Sequence, residues 1–418
     1  QTENPKLPSS KIHSRIRSSS ITKHHLIFII EISITATTTM LWVDKHRPKS
    51  LKELTYHPST TAQLASLAAS PSTLPHLLFY GPSGAGKKTR IMCLLREIFG
   101  PGADRLRLDK RTFTTPTKRT VDINMICSNY HIEMSPGDAG LNDKFVVQEV
   151  IKEMAANRSL NAGEGSLLRS TSSTSAASAT SDDGNDNKKS IQYKIVVLVE
   201  VDNLTRQAQA ALRRTMEKYS SSCRLILCCN NQSKVMEAVR SRCLGIRIPA
   251  PSIDDICYSL KNVADKEKLT LQDDLCVSIA RESSRNLRRA ILMMETSRVN
   301  AGSKILKREQ GVQKTDWEMY ITQLASDITS EQSPQMLMSA REKLYELLIN
   351  CIPASVIIKT LAMELMKNLD DELKHDVLEA AAFYEHRIAL GSKDIFHLEA
   401  FIAKFMAIYK QYFLDMFA

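Results

Sequence analysis

The sequence predicts a parallel α/β domain followed by two helical regions, and three observations support this prediction. Apolar runs at 77–80, 195–199 and 225–229 have the length and composition of buried parallel strands. A glycine-rich loop joins the first run to a helical pattern that is clear from Ile91 onward. After Pro251 the sequence is almost entirely helical in character.

Length and composition indicate two or three domains, because 418 residues with 43% hydrophobic content can bury a large core. The formal net charge of +10 favours an acidic partner, most commonly nucleic acid, although a mildly basic solvated surface has the same charge. The nine cysteines include no paired C-x-x-C, so neither a zinc site nor a disulfide framework is predicted. A reduced intracellular compartment fits this usage best.

Residues 1–39 differ in composition from the rest of the chain. They are rich in Ser, Thr, Ile and basic residues. Their apolar run from Leu26 to Ile30 is interrupted by Glu31 and is too short for a membrane span, so no membrane partner is expected. The composition is compatible with a transit peptide. We favour a simpler interpretation, in which Met40 is the biological start and the preceding residues are a non-native leader.

The central motif is a glycine loop that follows the first apolar run and precedes a helix. Its glycines allow backbone N–H groups to fold around a polyphosphate, and the positive dipole end of the helix points at the same oxygens. Lys87 reaches the outer phosphates in this pattern. The motif predicts a nucleotide-binding loop, against the alternative of a Gly/Ser turn that binds nothing. Its residues are Gly81, Pro82, Ser83, Gly84, Ala85, Gly86, Lys87, Lys88 and Thr89.

The loop departs from the motif at the position that ligates Mg²⁺. Lys88 stands where the pattern has Ser or Thr, and the hydroxyl comes one residue later at Thr89. One residue is a rotation of about 100° on a helix, so Thr89 points away from the ligand position, and the charge of Lys88 repels a cation. The sequence therefore predicts a loop that holds ATP or ADP but lacks half of the metal site that hydrolysis needs.

Residues 42–48 carry a resemblance to a known family. Their sequence, Trp-Val-Asp-Lys-His-Arg-Pro, resembles the W-V-E-K-Y-R-P box that opens the small subunits of replication factor C, the eukaryotic AAA+ sliding-clamp loader. The resemblance implies that His46, Arg47 and Pro48 belong to the nucleotide-binding residues, with His46 as a candidate contact for the adenine base. The alternative for His46 is an exposed histidine at the start of a helix.

The apolar run at 195–199 delivers an acid to the carboxyl edge of the predicted sheet, where ligands bind in open α/β sheets. It takes the Walker B position, whose usual ending is D-E-x-D, but Val199 replaces the first Asp. Glu200 remains where the family places the residue that polarises the attacking water, and we interpret it as a vestige of a catalytic site. With Lys88 and Val199 in place, the metal site lacks both expected protein ligands, so Mg²⁺ is doubtful here.

Two further positions resemble the sensors of the family. Asn230 ends the next apolar run and corresponds to the sensor 1 residue that monitors the γ-phosphate; the alternative is an Asn that caps a turn. Residues 285–290 resemble the G-D-L-R-R-A segment of sensor 2, with Arg285 and Asn286 in place of Gly and Asp. Arg288 is the matching arginine, and its alternative is a cation on a solvated helical face.

The stretch Arg240-Ser241-Arg242-Cys243 contains the S-R-C triplet that the family uses as an arginine finger in trans. The resemblance implies that Arg242 meets the γ-phosphate held by the adjacent subunit. A guanidinium suits this role because it stays protonated and contacts two oxygens at once. The upstream box at 213–217 is also similar to clamp-loader subunits, with a solvated, charge-paired helix as its alternative.

The middle of the chain is basic and contains an insertion. In the family, the helix predicted at 144–156 carries basic residues that follow one DNA strand; Lys152 is the candidate here, whereas Gln148 and Val150 replace the usual Arg and Lys. Residues 161–190 lack apolar periodicity and predict a disordered surface insertion that is open to phosphorylation. A basic cluster precedes the helix: Lys110, Arg111, Lys118 and Arg119.

The region from Trp317 onward predicts a helical collar, which in the family joins five subunits into a ring. Its histidines are interpreted as surface or core residues rather than metal ligands, and no metal site is predicted. The final helix carries an apolar stripe at alternating spacings of three and four: Ile395, Leu398, Ile402, Phe405, Tyr409 and Tyr412.

These features predict an AAA+ domain at 40–249, a helical lid at 250–305 and a helical collar at 316–418. The resemblance implies one subunit of a nuclear heteropentamer, with four other replication factor C subunits as partners. That complex uses ATP to load the proliferating cell nuclear antigen sliding clamp onto primer–template DNA in replication and repair. The departures at the metal site point to one particular subunit, which binds nucleotide, hydrolyses it poorly and donates Arg242.

Two alternatives stay open at this point. A purely structural ring subunit with an empty nucleotide site would share the collar and could keep Arg242. A P-loop phosphotransferase would share the glycine loop, but it would need an intact Mg²⁺ site and no finger between subunits.

Overall fold

The computed structural model describes residues 40–114, 120–156, 193–220, 222–301, 305–306, 312–391 and 393–417. The chain divides into two compact units, residues 1–310 and residues 311–418. The predicted leader at 1–39, the predicted insertion at 161–190, and Lys118 and Arg119 of the basic cluster lie outside the described residues.

The first unit is built on a seven-stranded sheet in the order β2-β3-β4-β5-β6-β1-β7. The pairs from β4 through β5, β6 and β1 to β7 are parallel, as predicted, while β2, β3 and β4 pair antiparallel. The strands are β1 (Leu77–Tyr80), β2 (Arg107–Thr114), β3 (Thr120–Cys127), β4 (His131–Met134), β5 (Lys194–Leu198), β6 (Cys223–Cys229) and β7 (Leu244–Arg247).

The central strands are apolar because both of their faces are buried. In β6, Leu225 and Leu227 pack into one core and Ile226 and Cys228 into the other. The β2–β3 hairpin has no continuous apolar run, because buried Ile123 and Met125 alternate with exposed polar residues in β3. The hairpin was therefore missed.

Helices pack against this sheet, and one of them starts earlier than the sequence pattern indicated. The helix after the glycine loop begins at Lys87, because Gly86 at φ 82° provides its N-cap. The next central helix begins at Arg206, where the Thr205 hydroxyl accepts a hydrogen bond from the Ala208 N–H. The helices are α1 (Trp42–Lys45), α2 (Pro58–Ala69), α3 (Lys87–Phe99), α4 (Asp143–Ala156), α5 (Arg206–Lys218) and α6 (Glu237–Arg240).

A small helical group completes the first unit. It begins with a capping box, in which Ser252 and Asp255 satisfy each other's backbone N–H groups. Two short strands, Thr270–Leu271 (β8) and Ile305–Leu306 (β9), pair in parallel beside its helices. The helices are α7 (Ile253–Lys266), α8 (Asp273–Glu282) and α9 (Leu287–Ala301).

The second unit is helical in the residues that the structure describes, as the sequence predicted. Its core uses the apolar stripe of the last helix: Ile395, Leu398, Ile402 and Phe405 are buried, while Tyr409 and Tyr412 pack partly buried against them. The helices are α10 (Asp316–Ser330), α11 (Pro334–Ile349), α12 (Ala354–Leu365), α13 (Asp371–Leu390) and α14 (Asp394–Phe417). No helix in the described part of the chain is long and apolar enough to cross a membrane.

Candidate nucleotide-binding site

The glycine loop lies between the carboxyl end of β1 and the start of α3, and its conformation requires glycine. Gly81 has φ 151°, and a Cβ there would lie 1.9 Å from the Ile248 carbonyl oxygen. Gly86 has φ 82° and holds the N-cap of α3. The loop therefore leaves the N–H groups of the first helical turn without backbone partners, as an anion site needs.

Lys87 folds back over this loop. Its Nζ donates to the carbonyl oxygens of Gly81 and Pro82 at 2.7 and 2.9 Å, and to Asn230 Oδ1 at 2.8 Å. Burial lowers the pKa of this ammonium below its ordinary value. The predicted phosphate-contacting lysine and the predicted sensor Asn230 are thus brought together, because β1 and β6 are adjacent parallel strands whose carboxyl ends meet.

A buried arginine that the sequence did not predict holds a carbonyl group of the loop. Arg90 is fully buried; it donates to the Tyr56 carbonyl at 2.9 Å and to the Ala85 carbonyl at 3.3 Å, and its guanidinium lies over the Tyr56 ring. The Tyr56 hydroxyl also donates to the Ala85 carbonyl. The carbonyl group of Ala85 is therefore fixed by two side chains. No local pattern marked Arg90, because it precedes the apolar run that begins at Ile91.

The residues at the Mg²⁺ position do not fit the ion. Lys88 forms an ion pair with the buried carboxylate of Glu133 on β4, so an ammonium and its counter-ion take the place of the hydroxyl ligand. Val199 packs as a partly buried apolar residue where the motif has Asp. Mg²⁺ needs oxygen ligands in octahedral geometry, whereas these two positions carry the ammonium of Lys88 and the methyl groups of Val199.

An aspartate and two cysteines also lie near the strand ends. Asp202 Oδ2 accepts hydrogen bonds from the backbone N–H groups of Asn230 and Asn231 at 3.3 and 3.4 Å. Burial raises the pKa of Cys228 to about 11 and that of Cys229 to about 12, so both thiols stay protonated at neutral pH. Among the described residues, no group of three His, Cys, Asp or Glu is arranged to hold a metal ion.

Glu200 follows β5 in a left-handed conformation with φ 56°. Its carboxylate is exposed and accepts a hydrogen bond from Asn203 at 3.1 Å. A non-glycine residue held at positive φ carries strain, and such strain is concentrated at functional sites. Glu200 lines the cavity beside Val199, so this strained position lies next to the altered metal corner.

These elements surround a cavity of about 300 Å³, a size that suits a small ligand. The structure brings these sequence-predicted residues into its wall: His46, Arg47, Pro48, Ser83, Gly84, Gly86, Lys87, Lys88, Thr89, Glu200, Asn230 and Arg288. Gly81, Pro82 and Ala85 do not line it.

The cavity also has walls that the sequence did not predict. On α7, Ser259, Asn262 and Lys266 follow helical spacing and place polar groups at the cavity, and α9 contributes Leu287 and Ile291. The spacing on α7 was visible in the sequence, but nothing local distinguished it from a solvated face.

The predicted base contact, His46, is held by the helical group rather than exposed. Its Nε2 lies 2.6 Å from Glu267 Oε1, which also accepts a hydrogen bond from Lys45 at 2.6 Å. The Lys45 bond is the main reason that the pKa of the Glu267 carboxyl lies below its ordinary value. Trp42 anchors the same segment, because its backbone N–H donates to Glu295 Oε2 at 3.1 Å.

Arg242 and Lys152 lie away from this cavity. The Arg242 guanidinium donates to Glu217 Oε1 at 2.7 and 2.6 Å and to the Ala238 carbonyl at 2.7 Å. Glu217 belongs to the 213–217 box, so the structure joins two boxes that the sequence singled out separately. Lys152 is exposed on α4.

Comparisons with known proteins agree with this geometry. Residues 317–413 match the model of the replication factor C subunit 3 C-terminal domain, and residues 259–299 match an RCF1/5-like AAA+ ATPase lid domain. Residues 174–252 match the model of the DNA polymerase III delta subunit.

Full-length relatives match over almost their whole length. Replication factor C subunit 3 of Homo sapiens is 49% identical over 375 residues, covering 90% of this chain and 98% of the relative. The Bos taurus subunit 3 is 50% identical with the same coverage. The chain belongs to the replication factor C subunit family.

Membership in the replication factor C family confirms the AAA+ fold class and the clamp-loader resemblance that the sequence boxes indicated. The relatives are also of one kind of subunit, as the departures at the metal site predicted. It is named subunit 3 in Homo sapiens, Bos taurus and Arabidopsis thaliana and subunit 5 in Oryza sativa. Replication factor C subunit 3 of Arabidopsis thaliana is 48% identical over 381 residues, covering 90% of this chain and 100% of the relative.

Proposed function

We propose that this replication factor C chain is the nucleotide-holding, hydrolysis-deficient subunit of a clamp loader, and that it donates Arg242 to the active site of a neighbouring subunit. The observation that carries the proposal is the glycine loop beside a metal corner occupied by Lys88 and Glu133. Family membership supports the assembly, and the cavity supports bound ATP or ADP. The residues that would hold the phosphates are Lys87, Asn230 and the N–H groups at the start of α3.

The partners follow from the same proposal. They are four other replication factor C subunits, the proliferating cell nuclear antigen clamp and primer–template DNA, and the location is the nucleus. Lys152 is the proposed DNA contact of this chain. Its exposed position on α4 leaves its charge available to phosphate.

The direct test is clamp loading by the co-expressed five-subunit complex. With ATP, we expect the complete complex to transfer a labelled clamp onto primer–template DNA and the complex without this chain to fail. Loading at the normal rate without this chain would contradict the proposal.

The loop and its metal corner predict nucleotide binding that does not depend on Mg²⁺. We expect the Kd for fluorescent ADP to change by less than about threefold, below 1 kcal/mol, when EDTA replaces Mg²⁺. The Lys87→Ala change removes a cation from the phosphate site and is expected to weaken binding at least about tenfold. Lys359→Ala, which removes an exposed cation from the second unit, is the matched control.

A reciprocal variant sharpens this test. Lys88→Thr with Glu133→Gln and Val199→Asp removes both partners of the Lys88–Glu133 ion pair and supplies the hydroxyl and carboxylate ligands, and it is expected to make ADP binding sensitive to EDTA. If the unaltered chain bound ADP tightly only when Mg²⁺ was present, the prediction of Mg²⁺-independent binding would be refuted. Nucleotide released on denaturing the purified protein also separates the proposal from the empty structural subunit.

The phosphotransferase alternative receives no support from the site. Such an enzyme needs Mg²⁺ at the transferred phosphate. The Lys88–Glu133 pair and Val199 leave no protein ligand for it at the expected positions.

A further inference from the structure

The segment between β7 and α7 connects the sheet to the helical group, and side chains hold it on both sides. His57 Nε2 lies 3.2 Å from the Pro249 carbonyl oxygen. Arg285 donates from Nη2 to the Ala250 carbonyl and from Nε to the Pro251 carbonyl, each at 3.0 Å. Three successive carbonyl groups of this hinge segment are therefore bound by side chains.

Arg285 reaches the hinge from a strained backbone. It has φ 62°, and its neighbour Ser284 has φ 52°. Glycine adopts such angles readily, whereas a residue with a Cβ does so at a cost. The resembled sensor 2 segment has Gly at this place, so this chain accepts strain and gains a guanidinium.

The residues after Arg285 touch the nucleotide loop. Asn286 caps α9, because its Oδ1 accepts a hydrogen bond from the Arg289 N–H at 3.1 Å. The same oxygen lies so close to Gly84 that a Cβ there would be 1.8 Å away. Leu287 and Arg288 then enter the cavity wall. One short segment thus joins the hinge, the phosphate loop and the cavity.

We infer that Arg285 is a positioning residue that locks the hinge, holds α9 against the phosphate loop and slows nucleotide release. Rotation of α9 away from the loop must change the torsions of residues 249–251 and turn their carbonyl groups. The planar guanidinium binds two of these carbonyls at once, so rotation breaks both hydrogen bonds together. The inference rests on the proposed nucleotide binding.

The test measures the release of fluorescent ADP from the full chain after mixing with excess unlabelled ADP. Arg285→Gly removes both hydrogen bonds and suits the positive φ, and it is expected to speed release about tenfold or more. Arg285→Lys keeps the charge but cannot bind both carbonyl groups as the planar guanidinium does, so an intermediate rate of ADP release is expected.

Ser284→Gly is the matched control, because it relaxes the neighbouring positive φ and leaves the guanidinium in place. Release from this variant is expected at the unaltered rate. Equal release rates for Arg285→Gly and the unaltered chain would overturn the inference, and so would acceleration by Ser284→Gly to the same extent as by Arg285→Gly.

Hydrogen exchange provides a second measurement that does not need a ligand. In the nucleotide-free chain, Arg285→Gly is expected to speed exchange of the amides in the first turn of α9 more than Ser284→Gly does. Failure of the unaltered chain to bind ADP would defeat the proposed function alone, whereas unchanged exchange would defeat the inference about Arg285.

Discussion

Replacing Arg242 by Ala in this chain alone is expected to slow ATP turnover at the neighbouring site by about 10³-fold or more, because an arginine finger supplies that much to phosphoryl transfer. The measurement is the ATPase rate of the co-expressed complex with clamp and primer–template DNA. Arg242 lies on the surface with Glu217 as its ion partner, so its loss is expected to leave folding and assembly intact.

Two further variants make this prediction specific. Arg242→Lys keeps the charge without the two-oxygen contact and is expected to recover only part of the rate. Arg281→Ala removes another exposed arginine from the same unit and is expected to leave the rate unchanged. An ATPase rate unaffected by Arg242→Ala, in a complex of normal size on gel filtration, would refute the trans role.

The second large effect is expected in the helical unit. Phe401 on α14 is fully buried in the core of that unit. Phe401→Ala leaves a cavity and is expected to lower the free energy of unfolding of this unit by about 3–5 kcal/mol. Thermal unfolding of the full chain, together with hydrogen exchange of the α14 amides, measures the loss.

Phe396 provides the matched control for this core prediction. It is on the same helix and is 58% exposed. Phe396→Ala is expected to change stability by no more than about 0.5 kcal/mol. Equal destabilisation by the two substitutions would show that the helix, rather than the buried ring, determines the loss.

The parts of the fold that could be predicted have signals that repeat locally. The central strands β5 and β6 are buried on both faces and therefore consist of continuous apolar runs. The last helix has a stripe of buried residues at helical spacing. The β2–β3 hairpin lacks both signals. Lys110 and Arg111 lie in β2, and β3 shows only an alternation of buried Ile123 and Met125 with exposed polar residues, so the hairpin was not predicted.

The candidate site was predicted in part for the same reason. The glycine loop and Lys87 follow from a contiguous motif, and the loss of metal ligands follows from Lys88 and Val199 themselves. The partner of Lys88 could not be predicted, because Glu133 is on a strand whose position depends on the sheet order. In the sequence, Arg90 cannot be told from any other cation on a helix. Only the structure shows that it is buried against Tyr56.

The sequence by itself determined the chemistry that this chain offers: a phosphate loop, a corner without metal ligands and the Arg242 triplet. These depend on residue types at short spacings, and short-range geometry is set by the covalent chain. Only the tertiary structure decided which of these groups meet. The pairing of Lys88 with Glu133, of Arg242 with Glu217 and of Arg285 with the hinge carbonyls joins residues distant in sequence, and the packing of separate elements brings them together.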